Sequence, residues 1–203
     1  ESGDQLGLSV SISGDNIVVG AYADDDDGIN SGSAYAYTKP AGVWVDTTQS
    51  AKLVPASVIF TIGEINEQSV AIDGNYAVIG APRFRTSGCV FVYFYNGSSW
   101  VQQAKLTASD AAANDKFGVS VSISGNNIVV GADPGYYSGS AYVFTKPSGG
   151  WIDTTQTAKL TASDVVAYDY FGSSVSISGD NIVVGASQDD DGASNSGSAY
   201  VFT

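Results

Sequence analysis

One stretch of sixteen residues returns along this chain, and it constrains the fold more strongly than any other feature of the sequence. Two copies are nearly identical, a third is slightly altered and a fourth is eroded. In chain order the copies cover residues 6–21, 66–81, 117–132 and 171–186. Similar units in tandem fold as a repeat array, because each unit buries its apolar side against its neighbours. The sequence therefore predicts a repeat protein.

Each copy has the alternating pattern of a β-hairpin. In the first copy Leu8, Val10 and Ile12 alternate with serine, and this period of two is typical of a β-strand. Residues 14–16 read Gly-Asp-Asn, and these residue types accept positive φ in tight turns. Residues 17–21 are then the return strand. No segment shows the period of a helix, so helical repeats are excluded.

Further strands follow each hairpin, and they carry more aromatic side chains than the hairpin does. The predicted third strands are 32–37, 88–95, 139–144 and the end of the last copy, 200–203. The predicted fourth strands are 44–53, 100–107 and 151–160, with none in the last copy. We expect a single repeat domain over residues 1–203, with repeats of about 1–53, 54–107, 108–160 and 161–203.

The spacing of the copies indicates the architecture. A Gly-Ala dipeptide ends the second strand of each copy, and its glycines are 60, 51 and 54 residues apart: Gly20, Gly80, Gly131 and Gly185. A period of this size with four strands per unit is typical of a β-propeller blade. Small residues on the first strands and aromatics on the outer strands fit the taper of a blade. The sequence predicts an all-β fold, a β-propeller of four-stranded antiparallel blades, whole or part of a larger ring; a β-sandwich is the alternative.

Composition excludes several classes of function. Lys and Arg number 8 against 21 Asp and Glu, which gives a formal net charge of −13. Such a chain repels phosphate backbones and anionic membranes, and no apolar run is long enough for a membrane helix. With no histidine in the sequence, there is no Ser-His-Asp or Cys-His set and no imidazole base. We expect no nucleic-acid binding, no membrane insertion and no enzyme activity.

Two kinds of position are predicted to be structural. The single cysteine, Cys89, replaces a serine of the third strand, and we expect it to be a small buried core thiol. Asp4, Asp115 and Asp169 each stand three residues before the glycine that opens a first strand. An acid in this place is expected to accept hydrogen bonds from turn amides.

A family resemblance rests on motifs that recur along the chain. In the third repeat these are Phe117-Gly118, Gly131-Ala132, the strand 139–144, and Trp151 followed by Ala-Lys-Leu-Thr-Ala-Ser-Asp at 158–164. The pattern resembles the FG-GAP repeats of integrin-α-type β-propellers, and most closely the bacterial variety with a short turn. The resemblance covers nearly the whole chain. It implies about four FG-GAP-type blades of a secreted or cell-surface protein used for binding and adhesion.

Calcium is the one cofactor that the sequence suggests. In integrin-type blades calcium binds between the first two strands, but here that connection is a short turn such as 13–16, so those sites are not carried over. Hard oxygen ligands instead crowd the loop after the second strand. The candidate ligands are Asp24, Asp25, Asp26, Asp27, Asp189, Asp190 and Asp191. They match the calcium-loop pattern only in part, because Ala23 or Ser187 holds the first ligand position. A solvated surface loop is the alternative.

The same loop carries the candidate ligand-binding residues in the other two repeats. They are Arg83, Phe84 and Arg85 in the second repeat and Tyr136 and Tyr137 in the third. This loop differs chemically in every repeat while the strands stay alike, and variable loops on a fixed scaffold are where binding sites usually lie. We expect exposed aromatics here and a protein or glycan ligand; ordinary loop drift is the alternative.

Three hypotheses of function follow. The first is a secreted or cell-surface, non-catalytic binding or adhesion module. The second is a self-associating structural subunit of an extracellular layer or filament, because the last repeat lacks a fourth strand and an open sheet edge invites pairing. On that view the native polypeptide is longer, or another subunit completes or continues the ring. The third is a calcium-dependent carbohydrate-binding propeller that uses the acidic loops and residues 136–137.

Overall fold

Four β-sheets follow one another along the chain, one for each copy of the repeat. The computed structural model describes residues 3–24, 32–40, 43–54, 69–133, 135, 137–164 and 166–203. Within these ranges the only helical segment is a short 3-10 turn, Phe84–Thr86. Accordingly, the described residues include no helix long and apolar enough to cross a membrane. The prediction of an all-β fold is confirmed.

The strands of each sheet are consecutive in the chain, with one exception in the third repeat. The first sheet contains β1 (Leu6–Ser13), β2 (Asn16–Ala21), β3 (Ser33–Thr38) and β4 (Ala51–Leu53). The second contains β5 (Val70–Asp73), β6 (Tyr76–Ala81), β7 (Cys89–Tyr95) and β8 (Trp100–Thr107). The third contains β9 (Phe117–Ser124), β10 (Asn127–Ala132), β11 (Ser140–Thr145) and β13 (Ala158–Leu160), and the fourth β14 (Phe171–Ser178), β15 (Asn181–Ala186) and β16 (Ser198–Phe202).

The exception is β12 (Thr154–Thr155), which leaves its own repeat and pairs in parallel with β8 of the second sheet. The Asp153 carboxylate reinforces this link by accepting a 2.7 Å hydrogen bond from the Lys105 amide. The predicted fourth strand 151–160 is therefore wrong in its first half, because that half pairs with the neighbouring sheet. The predicted strand 44–53 is likewise too long. Only Ala51–Leu53 pairs with β3, and Trp44 is among the exposed residues that precede it.

The Phe-Gly pair that opens a repeat has a clear structural reason. Gly118 and Gly172 adopt φ of 98° and 94°, a left-handed region that glycine enters at little cost. Each lies where the register between the first two strands shifts, so the chain forms a bulge. The bulge turns the preceding ring, Phe117 or Phe171, into the core, where it is almost fully buried.

The Gly-Ala pair that ends the second strand lies against the Phe-Gly pair of the next repeat. A Cβ atom added to Gly131 would overlap the carbonyl oxygen of Gly172, and one added to Gly80 would overlap that of Gly118. Backbone thus meets backbone with no side chain between them. The two family motifs are therefore the two halves of a single contact between successive repeats.

Serine hydroxyls of the first strands join neighbouring sheets. Each accepts a hydrogen bond from a backbone amide in the first hairpin of the next repeat. The pairs are Ser11 with Ile72 N–H (3.1 Å), Ser13 with Gly74 N–H (2.9 Å), Ser122 with Ile177 N–H (3.2 Å) and Ser124 with Gly179 N–H (3.1 Å). Between the second and third sheets Asp73 takes the serine's place and accepts from Gly125 N–H at 2.6 Å. The alternating serines are therefore a polar seam between sheets.

Apolar layers fill the spaces between successive sheets, so that the sheets stack in chain order. Phe91 lies between the first and second sheets, Phe117 and Phe144 between the second and third, and Phe171 between the third and fourth. Burying one such ring contributes about 2–3 kcal/mol, so each sheet is stabilised mainly by its neighbours. Cys89 is buried in the first layer, as predicted.

The outer faces of the first and fourth sheets stay exposed. On the first sheet Leu8, Val10 and Ile12 are more than half exposed, and on the fourth Val183 and Val201 are exposed. The residues that the structure describes therefore form an open stack of four sheets and do not close into a ring. The β-propeller stays a prediction.

The acids before the first strands hold the turns between repeats. The Asp115 carboxylate accepts a 2.6 Å hydrogen bond from the Ala112 amide, and the Asp169 carboxylate accepts one of 2.9 Å from the Val166 amide. Each bond closes a short turn just before the Phe-Gly pair. For these two residues the predicted capping role is confirmed.

The close approach of glycine backbones can be tested by adding one methyl group. We expect Gly131→Ala to lower the free energy of unfolding by about 3 kcal/mol, because the new Cβ forces the third and fourth sheets apart. Gly149→Ala is the matched control, since a Cβ there meets nothing within 4 Å. Urea unfolding followed by tryptophan fluorescence measures both. Equal midpoints for the two variants would show that the glycine contact is not needed.

Candidate cation site on the loop edge

One edge of the stack carries the candidate site residues that the structure describes. In each sheet the first strand begins beside the end of the second, as Leu6 pairs with Ala21 and Phe171 with Ala186. The variable loops leave from this edge, which we call the loop edge. The β-turns lie at the opposite edge. There, hydrogen bonds such as the one that Gly74 N–H donates to Ser13 Oγ place the turns of neighbouring sheets side by side. All four loops therefore emerge on the same side of the stack.

The third residue after the Gly-Ala pair occupies an equivalent place in the first and fourth repeats. It is Asp24 in the first and Asp189 in the fourth, and both side chains are buried. Each backbone makes the same turn, with the Asp24 carbonyl accepting from Gly32 N–H and the Asp189 carbonyl from Gly197 N–H. The interpretation of these two aspartates as solvated loop residues is wrong, because the turn directs their carboxylates toward the third strand.

In the first repeat this carboxylate is neutralised within the chain. The Tyr35 hydroxyl donates a hydrogen bond to Asp24. The Lys52 ammonium of β4 lies 3.1 Å from Asp24 Oδ1. The buried carboxylate thus has an opposite charge beside it, which is the condition for keeping an ion in a protein interior. The predicted ligands Asp25, Asp26 and Asp27 lie outside the described residues.

In the second repeat an aromatic pair takes the place of the ion pair. Phe84 is the third residue after the Gly-Ala pair, and it packs edge-on against Phe91 with 5.6 Å between ring centroids. Phe91 stands in β7 where Tyr35 stands in β3. The expectation that Phe84 is exposed is wrong, since the ring belongs to the first apolar layer. The flanking Arg83 and Arg85 are exposed.

In the third repeat a glycine, Gly135, holds the same place. A pocket of about 240 Å³ lies in this repeat beside the start of β11. The Lys159 ammonium lies on its wall, 2.6 Å from Asp110 Oδ2 and 5.3 Å from the Tyr142 ring centroid. The hydrogen bond from Lys159 lowers the pKa of the Asp110 carboxyl. Tyr137 lines this pocket and is 72% exposed, as predicted, whereas Tyr136 lies outside the described residues.

In the fourth repeat three carboxylates converge. Oxygen atoms of Asp164, Asp189 and Asp191 all lie within 4.8 Å of one another. The Tyr200 hydroxyl is 2.7 Å from both Asp164 Oδ1 and Asp189 Oδ2, although it has a single hydrogen to donate. Within the described part of the chain no lysine or arginine pairs with this cluster. The first and third repeats have Lys52 and Lys159 in this region, whereas the fourth has three clustered acids and, among the described residues, no paired base.

The electrostatics of the cluster are uneven. A hydrogen bond from the Asp191 amide, together with one from the Tyr200 hydroxyl, lowers the pKa of the Asp189 carboxyl. The negative charge of Asp189 raises the pKa of the Asp191 carboxyl, and hydrogen bonding to Asp164 adds to that rise. Burial, followed by hydrogen bonding to both acids, raises the pKa of the Tyr200 hydroxyl. The arrangement therefore favours a proton or a cation at Asp191.

Two of the three predicted ligands of this repeat belong to the cluster. Asp189 and Asp191 come together, whereas Asp190 is exposed and lies outside the cluster of three acids. Asp164 was missed because it lies in the connector before β14, far along the chain from the loop that follows β15. A signal for it was present: Asp164 is the repeat equivalent of Asp110, which pairs with Lys159 of β13 on the third sheet. Three carboxylates supply hard oxygen ligands for Ca²⁺, which takes six to eight oxygens in all, waters included.

The repulsion at Asp191 predicts a dependence of stability on pH. Because its pKa is raised, the folded state keeps a proton that the unfolded chain has released, and stability falls as pH rises through that window. In chelator we expect Asp191→Asn to raise the melting temperature by a few degrees at neutral pH. The gain should vanish below about pH 3.9, the unfolded pKa of aspartate.

Melting curves of the wild type and of Asp191→Asn, recorded by circular dichroism across pH, measure this effect. Asp180→Asn, in the exposed turn between β14 and β15, is the matched control and should show no such gain. A rise in melting temperature that persists in acid would show that repulsion from Asp189 is not its cause. A rise of equal size in Asp180→Asn would show the same.

Comparison with known proteins agrees with the motifs and the geometry. The family model of the FG-GAP repeat matches residues 1–37, 100–144 and 154–202, well over half of the chain. The matched regions include the Phe-Gly and Gly-Ala pairs of the third and fourth repeats, which the structure brings into contact. A search of curated proteins finds no significant match. On the strength of the repeated match, this chain belongs to the FG-GAP repeat family.

Proposed function

We propose that this chain is a non-catalytic binding module of a secreted or cell-surface protein and that its loop edge recognises a protein or glycan ligand. Its FG-GAP repeats are then blades of an integrin-like β-propeller, whole or part of a larger ring. One observation carries the proposal: a single structural position holds Asp24, Phe84, Gly135 and Asp189 in successive repeats. Uniform strands with three different residue types at one position of the loop edge are the pattern of a scaffold that presents a binding surface.

The pocket of the third repeat is the strongest candidate for the ligand-binding site. Tyr137 offers an exposed ring on which an apolar face of a ligand can stack. Beside it, Lys159, Asp110 and the Tyr142 hydroxyl supply charged and polar groups for hydrogen bonds. Concave sites with an aromatic surface and a few convergent polar groups are typical of small-ligand recognition. A sugar ring or the side chain of a protein ligand matches this chemistry.

The absence of histidine from the sequence supports a binding role over a catalytic one. The acid and base of the pocket are also paired with each other, since Lys159 contacts Asp110 at 2.6 Å. An ion pair of this kind holds both groups in their charged forms. Such groups are suited to recognise a polar ligand.

Binding at the pocket can be tested on arrays of glycans and of extracellular proteins. We expect the wild-type chain to bind at least one member and Tyr137→Ala to bind it about tenfold more weakly, a loss of about 1.4 kcal/mol. Trp44→Ala is the matched control, because Trp44 is another exposed aromatic and lies between β3 and β4. Affinities are then measured by surface plasmon resonance for each array hit.

If Trp44→Ala weakened binding as much as Tyr137→Ala does, the pocket would not be the ligand-binding site. No binding to any array member at high protein concentration would contradict the wider proposal. Circular dichroism of both variants confirms that a loss of binding does not come from unfolding.

A second candidate function is calcium-dependent binding, and the three carboxylates of the fourth repeat favour it. Asp164, Asp189 and Asp191 gather negative charge with no lysine or arginine among the described residues paired to them. A divalent cation there would offset the repulsion that raises the pKa of Asp191. It would also tie the connector that carries Asp164 to the loop of the fourth repeat.

Calcium binding is measured directly by isothermal titration of the chelator-treated protein. We expect Asp189→Asn to bind one Ca²⁺ fewer than the wild type and to lose part of the rise in melting temperature that calcium causes. Asp180→Asn changes the net charge equally and should titrate as the wild type does. Equal titrations for the two variants would exclude calcium from this cluster.

A further inference from the structure

The first sheet exposes residues whose equivalents are buried in the second and third sheets of the stack. Val10 and Ile12 of β1 are 64% and 61% exposed. Their repeat equivalents pack against the preceding sheet and are no more than 9% exposed: Val70, Ile72, Val121 and Ile123. The first sheet therefore presents the apolar half of the contact that joins successive repeats. We call this surface the leading face.

The fourth sheet exposes the other half of the same contact. Val183 of β15 is 40% exposed, whereas its equivalents Val18, Val78 and Val129 have no exposed surface. Val201 of β16 is 67% exposed, and its equivalent Val92 is fully buried. In the internal repeats these positions lie in the layer shared with the following sheet. We call this surface the trailing face.

The polar seam is also left open at the trailing face. Ser176 and Ser178 are exposed, although their equivalents Ser11 and Ser13 accept hydrogen bonds from the next sheet. The glycine contact is open as well. A Cβ at Gly185 meets only its own repeat, and a Cβ at Gly7 of the leading face meets nothing within 4 Å. The apolar side chains, the serines and the glycines of the internal contact are thus all at least partly exposed on these two faces.

We propose that the trailing face of one copy of this chain binds the leading face of a second copy. The internal contacts specify the arrangement: Val183 and Val201 cover Val10 and Ile12 of the partner copy. Ser176 Oγ then accepts from Ile12 N–H, as Ser11 accepts from Ile72 N–H within the chain.

A second copy fits these faces because each is complementary to the other and neither is complementary to itself. Such a contact is head-to-tail, so it closes into a ring or grows into a filament according to its rotation. Two copies supply eight sheets, which lies at the upper end of the usual size of a β-propeller. The net charge of −13 on each copy opposes association at low ionic strength. Salt should therefore strengthen the contact.

The head-to-tail arrangement permits a sharp test with two variants that each block one face. Ile12→Asp places a charge in the leading face, and Val201→Asp places one in the trailing face. Val101→Asp on β8 is the matched control, because Val101 is 48% exposed and belongs to neither face. All three positions are exposed, so the variants should keep the wild-type fold, which circular dichroism checks.

Light scattering after size-exclusion chromatography in moderate salt gives the mass of each particle. We expect the wild type and Val101→Asp to exceed the monomer mass of 20.9 kDa, and each face variant alone to be monomeric. An equimolar mixture of Ile12→Asp and Val201→Asp should form a dimer that does not grow, because one intact face remains on each partner.

Three outcomes would overturn the proposal. The first is a wild type that stays monomeric at near-millimolar concentration in salt, which would also be the result if the chain closed on itself. The second is dissociation by Val101→Asp as readily as by the face variants. The third is a mixture of the two face variants that remains monomeric while the wild type associates. None of these outcomes bears on ligand binding at the loop edge, so the two proposals are tested separately.

Discussion

The close approach of two glycine backbones is the contact on which the stack of sheets depends. Gly131 lies so near the Gly172 carbonyl that no side chain can stand between them. This approach brings the serine hydroxyl of Ser122 within reach of the Ile177 amide in the next sheet. It also seals the buried ring of Phe171 between two sheets. The family motifs therefore describe an interface between repeats more than they describe a single repeat.

A rigid interface of this kind leaves the loop edge free to vary. The position of Asp24 lies outside the glycine contact and the serine seam. In successive repeats it holds an aspartate in an ion pair, a phenylalanine in an aromatic pair, a glycine, and an aspartate in a group of acids. Each solution is stable for its own reason: Lys52 balances Asp24, and Phe84 packs on Phe91. The fourth repeat is the least balanced, since its acids have no paired base among the described residues. That imbalance is what makes it a candidate cation site.

Much of the fold was predictable from the sequence, because the alternation of serine with Val and Ile specifies strands and the repeat specifies the stacking partner. The site was less predictable. Phe84 looked like an exposed loop residue, but the turn after the Gly-Ala pair directs its side chain under the third strand. Asp164 lies in the connector before β14, so the acidic motif in the loop after β15 does not contain it. The segment 151–160 has strand-like composition throughout, yet its first part pairs with β8 because Asp153 holds it there.

Amide hydrogen exchange tests the central claim most directly, because it reports the contact between sheets one bond at a time. The comparison is between Ile72 and Gly74, whose amides bond to serines of the first sheet, and their equivalents Ile12 and Gly14 on the open face. The variant Val201→Asp keeps the molecules apart during the experiment. The account predicts exchange at least about a hundredfold slower at Ile72 and Gly74 than at Ile12 and Gly14. Equal exchange at the two pairs would show that the sheets are not held together by this contact.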